Sequence, residues 1–72
     1  MILKDVYQKY VDGNYTVDLI GICGSKSEWK DVEVDYPDEW LGTHGDEEVA
    51  DVAYQPKQHI LLVKLVNYRK EE

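Results

Sequence analysis

The ten residues at positions 59–68 (HILLVKLVNY) constrain the fold more than any other part of the chain. Leu61, Val63 and Leu65 fall on one side of an extended backbone, and Ile60, Leu62, Val66 and Tyr68 fall on the other. A strand that is apolar on both sides belongs inside a sheet, covered above and below. The rest of the 72 residues must therefore supply neighbouring strands and at least one covering layer.

Residues 2–12 read as that layer. Leu3, Val6, Tyr7, Tyr10 and Val11 recur at helical spacing, while Lys4, Asp5, Gln8 and Lys9 face away, and Gly13 supplies the stop. From Tyr15 the period changes to two. Residues 15–23 (YTVDLIGIC) and 29–36 (WKDVEVDY) read as strands joined by the turn Gly24-Ser25-Lys26-Ser27, and Pro37 ends the second. Val32, Val34 and Tyr36 share one side of that strand, and Asp31, Glu33 and Asp35 share the other. Residues 37–48 read as a loop with room for one helical turn at 38–41. Residues 49–55 fit a helix or a strand. The strand is preferred because Gln55-Pro56-Lys57-Gln58 makes a type I turn into the final strand.

The expected architecture is α+β, a single small domain over residues 1–72. An N-terminal helix packs on a four-stranded, mostly antiparallel sheet of two hairpins. One helix covers one sheet face; the 37–48 loop or a second copy of the chain must close the other. A domain of this size buries only about 60% of its unfolded surface, so a partner or a homodimer would help its stability. The sequence shows no repeat or linker, and only the end, Arg69-Lys70-Glu71-Glu72, reads as a charged tail.

The net charge is −7, and it is concentrated: residues 28–51 hold ten acids against Lys30 alone. This sign argues against direct binding to nucleic acid or to an anionic membrane. No apolar run suggests a membrane span, no basic and apolar leader opens the chain, and one cysteine, Cys23, fits a reducing compartment, so a cytoplasmic location is expected.

Catalysis finds little to stand on. Cys23, Ser25, Ser27 and Thr43 are the nucleophiles, His44 and His59 the bases, and no motif pairs them, so no enzyme is expected. Asp31-x-Glu33-x-Asp35 opens like a calcium loop, but Tyr36 stands where the loop needs glycine and Gly42 where it needs glutamate. Cys23, His44 and His59 lack the close pairing of a zinc site. No metal or cofactor is expected.

The acids themselves remain. On a strand, Asp31, Glu33 and Asp35 would stand about 6.7 Å apart in a row headed by Trp29. Asp38 and Glu39 follow, then Asp46, Glu47 and Glu48. A solvated, solubilising sheet face explains such a row, yet like charges without cross-strand cations cost stability. The complementary cations can belong to another molecule. Trp29, Asp31, Glu33, Asp35, Asp38, Glu39, Asp46, Glu47 and Glu48 are therefore the candidate contacts to a basic protein surface, one that ordinarily holds nucleic acid. Trp40 is expected to plug the uncovered sheet face instead. In general character (tiny, acidic, without catalytic motifs) the chain resembles the small proteins with which phages and mobile elements block nucleic-acid enzymes. The expected function is a DNA-mimic-type inhibitor; the alternative is an assembly subunit that dimerises or docks through an apolar sheet face.

Overall fold

Helix α1 (Leu3–Asp12) begins with no side-chain cap, and its first amides are satisfied from elsewhere in the chain. Leu3 N–H donates to the Glu47 carbonyl and Lys4 N–H to the Gly45 carbonyl, both at 3.0 Å. The computed structural model describes residues 1–68; the charged tail at 69–72 lies outside them. After α1 come strand β1 (Leu19–Gly24), a 3-10 turn (Trp29–Asp31), strand β2 (Glu33–Asp35), helix α2 (Pro37–His44) and strands β3 (Val49–Gln55) and β4 (Ile60–Leu65). The α+β fold expected from the pattern is the one found.

The strand order is β2-β1-β4-β3. Two hairpins, β1 with β2 and β3 with β4, are antiparallel, and the central pair β1 with β4 runs parallel, so the sheet is mixed. Parallel neighbours need a long crossover, and α2 with β3 provides it. Strand β4 lies inside the sheet, as its two apolar sides require. Leu61, Val63 and Leu65 join Ile20, Ile22, Leu3 and Val6 in the buried core beneath the helices.

Three expectations need correction. Residues 37–48 hold a helix: Pro37 opens α2, with Asp38 and Glu39 in its first turn where the helix dipole favours negative charge. Trp40 and Leu41 pack against the core on the side that α1 also covers, and the Trp40 indole donates to the Ile20 carbonyl at 2.8 Å. Both helices therefore lie on one face, so neither Trp40 nor the 37–48 segment closes the other.

The second correction concerns that other face, which carries Leu19, Gly21, Cys23, Ile60, Leu62 and Lys64 from the two central strands. It is closed in part by the β1–β2 connection. Val32 lies over Gly21 so closely that an added Cβ would meet Leu62 Cδ2 at 2.9 Å and Val32 Cγ2 at 3.1 Å. Any side chain there would have to push Leu62 and Val32 aside.

The third is the strand at 29–36, of which only Glu33–Asp35 is extended in the sheet, because Trp29–Asp31 coils into the 3-10 turn. Its alternation is real but its sides are exchanged. Glu33 and Asp35 pair with Ile22 and Ile20 and so share the helix-covered side, whereas Val34 pairs with Gly21 and looks to the other.

Both sheet edges are blunted. On β3 a bulge falls between Val49 and Asp51, Asp51 Oδ1 accepts from Val52 N–H at 2.8 Å, and Met1 C=O accepts from Val49 N–H. Past β2, Asp35 Oδ1 accepts from Tyr36 N–H at 2.7 Å. Bulges and acids at an edge discourage pairing with another strand.

Candidate protein-binding face

The nine residues singled out in the sequence divide into three groups with different surroundings. Asp46, Glu47 and Glu48 are held within the fold. Asp46 pairs with Lys4 at 3.1 Å, Glu48 pairs with the Met1 ammonium at 3.1 Å, and Glu47 Oε2 meets His44 Nδ1. Together with the carbonyls of Gly45 and Glu47, this segment closes the positive end of α1. The chain leaves α2 at Gly45, which lies so close to the Leu41 carbonyl oxygen that a Cβ there would collide with it.

Trp29 is the second group. Its half-buried ring lies beneath the Lys64 ammonium, 4.6 Å from the centroid, so its cation comes from its own chain. Lys64 and Trp29 thereby cover one end of the second sheet face. Cys23 is buried on the same face, and burial pushes its thiol pKa up.

The third group lies along β2 and into α2. Asp31 leaves the 3-10 turn, Glu33 and Asp35 follow on the edge strand, and Asp38 and Glu39 lie in the first turn of α2. Glu33 turns toward the helices and accepts a hydrogen bond from the Tyr68 hydroxyl. Asp31, Asp35, Asp38 and Glu39 are exposed, and among the described residues none of the four has an ion pair. Lys30, the cation nearest in sequence, is already bridged to Glu28 at 3.1 Å. The expected row of three carboxylates is therefore a bent edge of four unpaired ones with Glu33 in its midst.

Beside this edge is an apolar surface that the candidate set omitted. Val34 is 46% exposed and Tyr36 67%. Tyr36 follows β2 directly, with an extended backbone (φ −66, ψ 147) that leads into α2. Leu19, Ile60 and Ala53 continue the face of Val34 and are only half-buried. The signal for Tyr36 was the same alternation that grouped it with Val34. What the sequence lacked was the side on which Val34 would stand.

The two histidines sit in separate pairs, His44 with Glu47 and His59 with Asp18 at 3.1 Å. Among the described residues, neither ring is hydrogen-bonded to a serine, threonine or cysteine, and no group of three or more His, Cys, Asp or Glu residues could hold a metal ion. No described helix is long and apolar enough to cross a membrane.

Tyr68 pins the end of the described chain against α2, its ring edge-on to Trp40 and to His44. Burial, then the hydrogen bond to Glu33 and the charges of Glu33 and Glu47, push its phenol pKa up to about 12. A folded-state pKa above the unfolded value of about 10 means that folding is favoured by the retained proton. That stability is intact below pH 10 and is lost between pH 10 and 12. Urea titrations across this window should fall more steeply for the wild type than for Tyr68→Phe. Coincident slopes would show that neither burial nor the Glu33 contact raises the Tyr68 phenol.

No family model, no curated protein and no solved structure matches the chain, so the face must be read from its own geometry.

Proposed function

We propose that the chain is a small non-enzymatic binding protein that occupies a basic, nucleic-acid-binding surface of a partner protein, as a DNA mimic does. One observation carries the reading: Asp31, Asp35, Asp38 and Glu39, without ion pairs among the described residues, run along the β2 edge and into α2, and the exposed Val34 and Tyr36 alternate with them along that edge, Val34 on the opposite sheet face. An apolar centre with an aromatic anchor and a charged rim is the usual anatomy of a specific protein interface. The rim steers a basic partner and the centre retains it. Carboxylates on alternate strand residues reach only about half the linear charge density of one DNA strand, so Asp38 and Glu39 are needed to raise it.

The test compares the wild type with D35N/D38N/E39Q as baits in a lysate of the source organism. The wild type should retain a protein that duplex DNA displaces and that elutes as salt rises. Three exposed pairs at about 0.2–1 kcal/mol each predict a loss of about 3- to 150-fold for the variant. Tyr36→Ala should cost about another 1–2 kcal/mol at constant fold stability, as an anchor does. Equal retention by wild type and triple variant, or retention that duplex DNA does not disturb, refutes the reading.

A second reading rests on the same face. Leu19, Val34, Ala53 and Ile60 lie on the side that neither helix covers, which suits a homodimer or an assembly contact. A solution mass of two chains, held or strengthened by salt, would favour it.

A further inference from the structure

On the opposite side of the sheet from that face, an open cleft of about 430 Å³ lies between α1 and the edge strand β3, with Met1 and the turn after α1 completing its lining. We infer that this cleft is a binding site for a small aromatic carboxylate. Val6 and Val52 form apolar walls, Tyr10 and Tyr15 add their rings, Gly13 leaves one wall bare, and Lys9 stands at the rim. The size falls within the range of about 300–1,000 Å³ common for small-molecule sites.

The rings are fixed before any ligand arrives. Tyr54 donates its hydroxyl to the Thr16 carbonyl at 2.5 Å and meets Tyr15 edge-on, with centroids 5.1 Å apart. Tyr10 lies 5.0 Å from Tyr15 and 5.9 Å from Tyr54. Asn14, in the left-handed region (φ 68), turns the chain back so that Tyr15 N–H reaches the Tyr10 carbonyl at 3.0 Å. Even so, Tyr15 is 51% exposed, and its ring offers an apolar surface to a planar guest.

Charge selects the guest. Lys4 and the Met1 ammonium each have a carboxylate partner, whereas Lys9 has no ion pair among the described residues. A free cation beside aromatic and aliphatic walls suits a ligand with a flat apolar body and one negative group. A peptide strand added along β3 fits less well, because Asp51 already caps Val52 N–H and Met1 takes Val49 N–H.

The probe is 2-naphthoate, titrated into isotope-labelled protein and followed by amide shifts, with neutral 2-naphthamide as its comparison. Saturable shifts at Lys9, Gly13, Tyr15 and Val52, with a dissociation constant at or below about 1 mM, are expected for a ligand of this size. The amide and the exposed-site variant Lys9→Glu should each bind about fivefold more weakly. Tyr15→Ala should lose about fivefold through its missing ring. D35N/D38N/E39Q should bind like the wild type, which separates this site from the acidic face. Shifts that never saturate, equal affinity for the amide, an undiminished Lys9→Glu, or shifts centred on Val34 and Ile60 would each overturn the assignment.

Discussion

Leu61→Ala is expected to lower the thermal unfolding midpoint by roughly 12–24 °C. Leu61 is completely buried on the inner strand β4, beneath the helices and among Leu3, Val6, Ile20 and Ile22. Removing its branched end strips transfer energy and leaves a cavity, at about 3 kcal/mol for a typical site. In a domain of 60–100 residues each kcal/mol moves the midpoint by about 4–8 °C. A domain of this length has on the order of 4–10 kcal/mol in total, so the loss is a large share of it. Val34→Ala gives the contrast. Its side chain is nearly half exposed on the edge strand, and its stability effect should stay within about 0.5 kcal/mol. Calorimetry on both variants is decisive: equal shifts would mean that the core does not lie where β4 places it.

Leu61 also illustrates how much of the fold the sequence discloses. A strand apolar on both sides can only be internal, and α1 announces itself by five apolar residues at helical spacing. The parallel pairing of β1 with β4 has no local signature, because it joins strands that are not consecutive. Helix α2 was disguised by its composition. Pro37 and the acids after it are a helix start, but Gly42 interrupts a short segment whose adjacent Trp40 and Leu41 show little periodicity. Packing and the indole bond to Ile20 hold it, and both are tertiary.

The candidate face was legible to the same degree. Alternation in the 32–36 segment reveals a period but not a phase, and a one-step change moves every side chain to the other side. Here the phase follows from Gly21, whose bare backbone admits Val32 above it. The acids look alike in sequence, yet Asp46 and Glu48 find their cations at the far end of the chain, on Lys4 and Met1. Only three-dimensional structure separates them from Asp35, Asp38 and Glu39, which have none among the described residues.

Gly21→Val should lift the 25–32 segment from the second sheet face and expose the Cys23 thiol. Gly21 and Cys23 are two apart on β1 and share that face, and the thiol, 2% exposed, senses both Lys64 and Asp31 of the 3-10 turn. Burial raises its pKa, so the wild-type thiol should resist a disulfide reagent at neutral pH. A valine side chain would project into the space now filled by Leu62 and Val32, which already crowd a single Cβ. Leu62 can rotate its terminal methyl aside, but Val32 is stiff and tied to the backbone entering β2. The strain of overpacking costs about 1–3 kcal/mol, and moving the segment off the sheet relieves part of it. The expected result is a protein that keeps its helical dichroism, loses about that much stability, and reacts at Cys23 many times faster than the wild type. Gly21→Ala should fall between the two, since one methyl asks only for a small shift of Leu62 and Val32. If Gly21→Val is as stable and as unreactive as the wild type, the segment does not cover that face, and the apolar surface available to a partner would be larger than Val34, Tyr36 and their neighbours.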